Sequence, residues 1–290
     1  MLLTTDYMSL GTLGDGLYLY VARPMQQVIL IYVVLLLVIK KRDPLIVFFA
    51  FLINILFFIA SATKFTILSF LVLFVAYLVY FVRSGFGFYI KKHKIMAFLC
   101  LLVGIAIYSL MSAVGSFGES LYLYLCGCIP CSDNAMESIV TYPHSYGAVS
   151  FNGLLTFLKF PCELLQIFPD IRDFAYEYYD RMMNFEQTIE IGNGISYNAF
   201  ISMFPYFYYD GGYLGVFLIS SFFGLICQKI DYNAFNKPTY RDIAFLLFIT
   251  SSITETLVRS PLFFVYFFMT ILYLYFFIPS KIIPQYKTRV

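Results

Sequence analysis

The stretch 262–279, LFFVYFFMTILYLYFFIP, runs its full length without one charged side chain. An α-helix needs about 20 mostly apolar residues to cross the hydrocarbon core of a bilayer. In lipid a helix also satisfies its own backbone N–H and C=O groups, as a lone strand does not. Apolar residues continue here without a period, as they do where lipid and protein surround a helix on all sides. Working outward, the same reading applies to 242–258 and 211–228, and earlier in the chain to 95–114, 65–82, 44–62 and 18–39. In the last of these, Arg23, Pro24, Gln26 and Gln27 fall in the first half. An interfacial position for them would shorten its buried part. No segment alternates as the strands of a membrane β-barrel do. The predicted fold class is all-α, a polytopic membrane helical bundle of about seven spans. Three regions follow: N-terminal membrane helices over 1–114, a large, partly helical loop over 115–197, and C-terminal membrane helices over 198–290.

Composition agrees. Hydrophobic residues make up 61% of the chain and charged residues 12%, with a mean hydropathy of +0.80. Soluble domains carry about 25% charged residues, so this chain lacks the polar side chains to cover itself in water. A net charge of +2 points to no nucleic-acid partner. No P-loop, GxGxxG element, HExxH motif or GxSxG elbow occurs, so ATPase, dehydrogenase, zincin and serine-hydrolase readings lose their main signatures.

Orientation follows from where the basic residues sit. Lys40, Lys41, Arg42, Arg83, Lys91, Lys92, Lys94, Lys229, Lys237, Arg241, Lys281, Lys287 and Arg289 share one set of connections, thirteen of the 19 Lys and Arg. The opposite short segments hold only Arg23, Lys64 and Arg259. Positive charge stays inside, which puts the C-terminus in the cytoplasm and the N-terminus and the 115–197 loop outside.

That loop is too long for a simple connector. Residues 151–168 are apolar and interrupted by Pro161, which reads as an interfacial segment with a break. Residues 171–190 read as an amphipathic helix, with Asp173, Glu177 and Asp180 on one face and Glu177 spaced to pair with Arg181. That face is either simply solvated or the underside of a lid. Cys126, Cys128, Cys131 and Cys162 lie in the loop. In an oxidising compartment they are expected to form one or two disulfides, with three pairings open. A metal site is disfavoured, because one histidine stands on this side and no second CxxC follows. No cofactor is called for.

Residues 193–215, NGISYNAFISMFPYFYYDGGYLG, carry Asn-Ala-Phe, a Pro-aromatic stretch, and Asp-Gly-Gly-x-x-Gly opening a membrane helix. Upstream stand Tyr142-Pro143-His144-Ser145-Tyr146-Gly147 and Phe151-Asn152-Gly153, and Ser61-Ala62-Thr63-Lys64 closes a span. Together these resemble the O-antigen polymerase family of bacterial surface-polysaccharide synthesis, over most of 15–280. Family members often have an arginine where this chain has Lys64, and lysine lacks the bidentate fork. They also usually have further spans before the region that begins here, so the chain is either a piece of a longer reading frame or a short member.

The resemblance implies a multi-pass protein of the bacterial inner membrane and a glycosyl transfer at its periplasmic face. A glycan on undecaprenyl pyrophosphate passes from its reducing end to an incoming lipid-linked repeat unit, and the lipid pyrophosphate leaves. The implied partners are undecaprenyl-pyrophosphate-linked glycans, membrane lipids and a separate chain-length co-polymerase. Three readings compete with polymerisation: a related O-antigen ligase, a lipid-oligosaccharide transporter, and a non-catalytic partner subunit. Transport calls for polar groups through the midplane, where the spans offer little beyond Asn54.

A leaving pyrophosphate needs cations or helix N-termini to hold it. Arg259 and Lys64 stand at outer ends of spans, where a charge is either functional or snorkels to headgroups. Arg172 and Arg181 resemble the loop arginines that the family uses. His144, the one outside histidine, is the candidate base for the acceptor hydroxyl, against a structural role. Glu255, four residues before Arg259, reads as its helix ion-pair partner or as a second base candidate. Asp210 fits an N-cap or a substrate contact. Gly211 and Gly212 allow close approach of backbone or substrate. Asn198 either bonds sugar or caps a helix. Tyr209 belongs with Tyr176, Tyr178, Tyr179, Tyr197, Tyr206 and Tyr208 to a tyrosine cluster suited to a glycan groove.

Overall fold

Runs of Leu, Ile, Val and Phe become helices wherever the computed structural model describes the chain. The described residues are 14, 16–38, 127–165, 167, 169–185, 189–190, 196–197, 201–236, 238–256 and 259–282, plus isolated helical positions between 49 and 80. A π-turn, Tyr18–Ala22, leads into α1, Arg23–Val38. After it come α2, Cys128–Ile139; α3, Asn152–Leu165; and α4, Pro169–Phe185. A small antiparallel pair follows, β1 Ile189–Glu190 and β2 Ser196–Tyr197, with Ile189 opposite Tyr197. The chain then forms α5, Met203–Asn236; α6, Tyr240–Glu255; a 3-10 turn, Pro261–Phe263; and α7, Val265–Phe277. The expected spans 44–62 and 65–82 fall largely outside the described residues, and 95–114 wholly outside them.

Among the described residues, two helices are long and apolar enough to cross a membrane: Tyr18–Leu37 and Met203–Asn236. They differ in surroundings, with 44% of the apolar window buried in the first and 11% in the second. Along α5, Tyr213, Leu214, Phe217, Leu218, Phe222 and Leu225 are all exposed. The α7 helix is apolar but shorter.

The chain divides into two compact units. The first comprises 1–110, 230–251 and 269–290. In it Leu30, Ile31 and Leu35 of α1 are buried, as are Leu247 and Phe248 of α6. Two polar residues of α1 find partners within this unit. Gln26 donates to Asn54 Oδ1 at 2.8 Å within the interior, and Gln27 Oε1 accepts from Thr270 at 3.1 Å. The buried Gln26 thus has the partner that burial demands, and the half-buried Gln27 has one too. Thr239 and Asp242 cap the start of α6 reciprocally: the Thr239 amide donates to Asp242 Oδ2 at 3.1 Å and the Asp242 amide to Thr239 Oγ1 at 3.1 Å. At its end α7 is closed by Arg241, whose Nε donates to the Ile278 carbonyl at 3.1 Å.

The second unit comprises 111–229 and 252–268. Here α3 and α4 pack as a hairpin. Asn152 Nδ2 donates to the Ala175 carbonyl at 3.0 Å, and the buried Lys159 holds its Nζ 3.2 Å from the centre of the Tyr176 ring. The expected break at Pro161 does not occur: α3 runs through it. A proline removes one backbone bond, and the helix ends one turn later, at Leu165. Gly153 is required for packing, since a Cβ there would stand 2.4 Å from the Phe264 carbonyl oxygen.

Candidate functional site

The site is organised by a kink. A helical segment does begin after Asp210, as the Asp-Gly-Gly motif suggested, but another segment of α5 runs up to it from Met203, and the two meet in a kink at Gly211 and Gly212. Gly212 has φ 61° and ψ −148°, a region that side chains with a Cβ avoid. A kink exposes carbonyls that helical N–H groups would otherwise fill. Two of them are taken by the upstream loop: the Ser145 amide donates to the Tyr209 carbonyl and the Tyr146 amide to the Asp210 carbonyl, both at 3.1 Å.

The Asp210 side chain completes this clamp. It is buried, and its carboxylate accepts from the Ser145 hydroxyl, from the Val149 amide at 3.1 Å and from the Ser150 amide at 2.9 Å. Those amides lie just ahead of the first turn of α3. A carboxylate is favoured there, where helical N–H groups lack partners. Asp210 therefore caps the approach to α3, not its own helix, and its oxygens are engaged by the protein.

The clamp holds the 145–150 turn in an unusual shape. Tyr146 has φ 50° and Gly147 φ 98°. Left-handed backbone is routine for glycine but costs about 1–3 kcal/mol for most other residues. The Tyr146 ring is 90% exposed, so burial does not repay that cost. Beside it stands the exposed His144, ring centroids 6.5 Å apart and planes at 80°. The His144 ring also covers Gly212, with Cε1 3.5 Å from where a Cβ would be.

Arg181 joins from α4. Its Nη1 donates to the Tyr209 hydroxyl at 3.2 Å, and its Nη2 pairs with Glu177, as their helical spacing predicts. The Tyr209 hydroxyl, and behind it the Glu177 carboxylate, hold the Arg181 pKa above its usual value. Around the fully buried Tyr209 pack Tyr142, Tyr178 and Phe185, with centroids 6.4, 6.1 and 6.0 Å from its own. Burial, then Tyr209, pushes the Tyr178 hydroxyl pKa up.

His144, Arg181, Tyr209, Asp210 and Gly212 are thus brought together. Gly211 is at the kink with open space around its Cα. Arg259 is reached through rings: its guanidinium carbon lies 5.7 Å from the Phe264 centroid, Phe264 meets Phe263 at 5.2 Å, and Phe263 stacks on Tyr179 of α4 at 5.4 Å. Glu255 is buried and accepts from the Tyr266 hydroxyl. Lys64 and Asn198 lie outside the described residues, and for Arg172 only its place on α4 is described.

The tyrosines of the expected cluster differ in exposure. Tyr206 and Tyr209 are fully buried, while Tyr176 and Tyr179 are exposed and each carry a partner on the ring. Tyr146, outside that cluster, is more exposed still. Cys128, Cys131 and Cys162 are present as thiols among the described residues. Cys128 and Cys131 sit buried in the first turn of α2, and burial, helped by Cys128, raises the Cys131 thiol pKa to about 11. Cys126 lies outside the described residues. Among the described residues no three His, Cys, Asp or Glu side chains group as a metal site.

Comparison with known proteins adds no relative: no family model, no curated protein and no solved structure matches the chain.

Proposed function

We propose that this chain is a multi-pass inner-membrane glycosyltransferase that polymerises undecaprenyl-pyrophosphate-linked repeat units at the periplasmic face. About seven spans and a cytoplasmic C-terminus belong to this reading, and the exposed apolar length of α5 supports it. The observation that carries it is the meeting of a base, a cation and a rigid turn at the kink of an apolar helix. His144 covers Gly212, Arg181 bonds Tyr209, and Asp210 ties both neighbourhoods to the 145–150 turn.

In this reading the His144 imidazole takes the proton from the acceptor hydroxyl as that oxygen attacks the anomeric carbon. The bond to the pyrophosphate oxygen breaks, and negative charge gathers on the leaving group. Arg259 and Lys64 clamp that charge, and the outer edge of Arg181 adds a donor. Arg172, Asn198, Tyr209 and the glycine pair shape the substrate side, while Asp210 holds the turn in place. The glycosyl pyrophosphate bond supplies the energy, so no cofactor enters.

A surface-polysaccharide gel tests the proposal. Deletion of the gene should collapse the ladder to a single-unit band, and returning this chain should restore it. Loss of all attached antigen would favour a ligase instead. An unchanged ladder would refute polymerisation of that polysaccharide.

A further inference from the structure

Tyr146 is held in left-handed backbone at φ 50° while its ring stays 90% exposed. Glycine would adopt that backbone without strain, so a tyrosine there serves something other than the fold. The backbone that carries the ring is held in place, because its amide is bonded to the Asp210 carbonyl and the preceding Ser145 side chain to the Asp210 carboxylate. His144 stands at its edge with the ring planes at 80°. The two rings make a corner with one flat apolar face and one polar wall. A pyranose has the same duality, with C–H groups on a face and hydroxyls around the rim. Aromatic faces with polar tips suit such a ligand.

We infer that Tyr146 is the stacking platform of a sugar subsite, with His144 as its hydrogen-bonding wall, and that this subsite takes one hexose ring of the glycan repeat. The inference rests on the proposed function and deepens it by assigning the sugar contact to a residue that carries no charge and performs no chemistry. A membrane-interface anchor is the other use of an exposed tyrosine. It explains neither the left-handed backbone nor the histidine at right angles.

The chain contains no tryptophan, so Tyr146→Trp installs a single indole at the subsite. The probe is the repeat-unit oligosaccharide released by mild acid from the producing strain's own surface polysaccharide. It is titrated into the full chain held in nanodiscs. The indole emission should change saturably with the oligosaccharide, and Tyr146→Phe should bind like wild type by saturation-transfer NMR. Tyr146→Gly should weaken binding about tenfold while raising the melting temperature, because strain is relieved. A purely structural tyrosine would lower it. Unaltered binding by Tyr146→Gly, or no binding by wild type, overturns the subsite. So does an indole that is already blue-shifted by lipid and does not respond to the oligosaccharide. The two proposals fail separately. A ladder that survives gene deletion removes the polymerase while a glycan-responsive indole keeps the subsite. A ladder that needs the gene but ignores Tyr146→Gly removes the subsite alone.

Discussion

Ser150 and Asp210 are 60 residues apart in sequence, and the amide of the first donates to the carboxylate of the second at 2.9 Å. With the bonds from Ser145 and Val149, this contact fixes the turn that presents His144 and Tyr146. Asp210→Ala would leave those buried donors without an acceptor, at about 1–3 kcal/mol each. The expected result is a melting temperature several degrees lower and loss of polymer. Asp210→Asn, which keeps one acceptor oxygen, should fall between. Calorimetry of the detergent-solubilised protein checks this, and a wild-type melting temperature for Asp210→Ala would contradict the clamp.

Gly211 and Gly212 should respond differently although they are adjacent. Gly211 has φ −163°, ordinary extended backbone, and nothing lies near its Cα. Gly212 needs φ 61° with ψ −148°. Gly211→Ala should keep near-normal stability and polymer. Gly212→Ala should lose about 1–3 kcal/mol to backbone strain. Denaturation of the two variants side by side provides the comparison, and equal stability would argue against the kink.

Arg181 and Tyr209 form a pair in which the arginine has the free edge. Tyr209→Phe removes a hydroxyl whose partner is charged and partly solvated, so a cost of about 1 kcal/mol and retained polymer are expected. Arg181→Ala removes a cation from the site and should reduce polymer at least tenfold at similar stability. Arg181→Lys should recover only part of it, because the ammonium cannot hold Glu177 and Tyr209 with one planar fork. Ladder densitometry distinguishes these outcomes.

Much of the helical frame is legible in hydropathy. The runs at 18–39, 242–258 and 262–279 become α1 with its π-turn, α6 and α7, and the amphipathic pattern at 171–190 becomes α4. Local rules also predicted the Glu177–Arg181 pair. The clamp was not legible, because Asp210 reaches donors some sixty residues away and no local pattern encodes that distance. Read locally, Asp-Gly-Gly marks the start of a helical segment; that a preceding segment from Met203 runs up to it was not legible. The bond of Gln26 to Asn54 was not legible, because the two lie 28 residues apart. Tyrosine density by itself does not separate the buried Tyr206 and Tyr209 from the exposed Tyr176 and Tyr146. The one local hint of the strained turn was Gly147 following Tyr146.

Cys131 predicts a pH dependence. Its thiol pKa rises from the usual 9.0 to about 11 in the folded chain. The unfolded chain therefore loses this proton first. The contribution is constant below about pH 9, and stability falls as pH rises from there to about 11. Cys131→Ala should flatten that part of the pH–stability curve. At neutral pH the buried Cys128 and Cys131 should resist maleimide until the chain is denatured. Rapid labelling of both in the native protein would contradict their burial.

The most direct test of the central claim is reconstitution. The purified chain is placed in nanodiscs with lipid-linked repeat units from its own strain, and the products are separated by size. The account predicts a ladder of lengthening glycans with release of undecaprenyl pyrophosphate, abolished by His144→Ala and sharply reduced by Arg181→Ala. Repeat units that remain single, with no lipid pyrophosphate released, would contradict it.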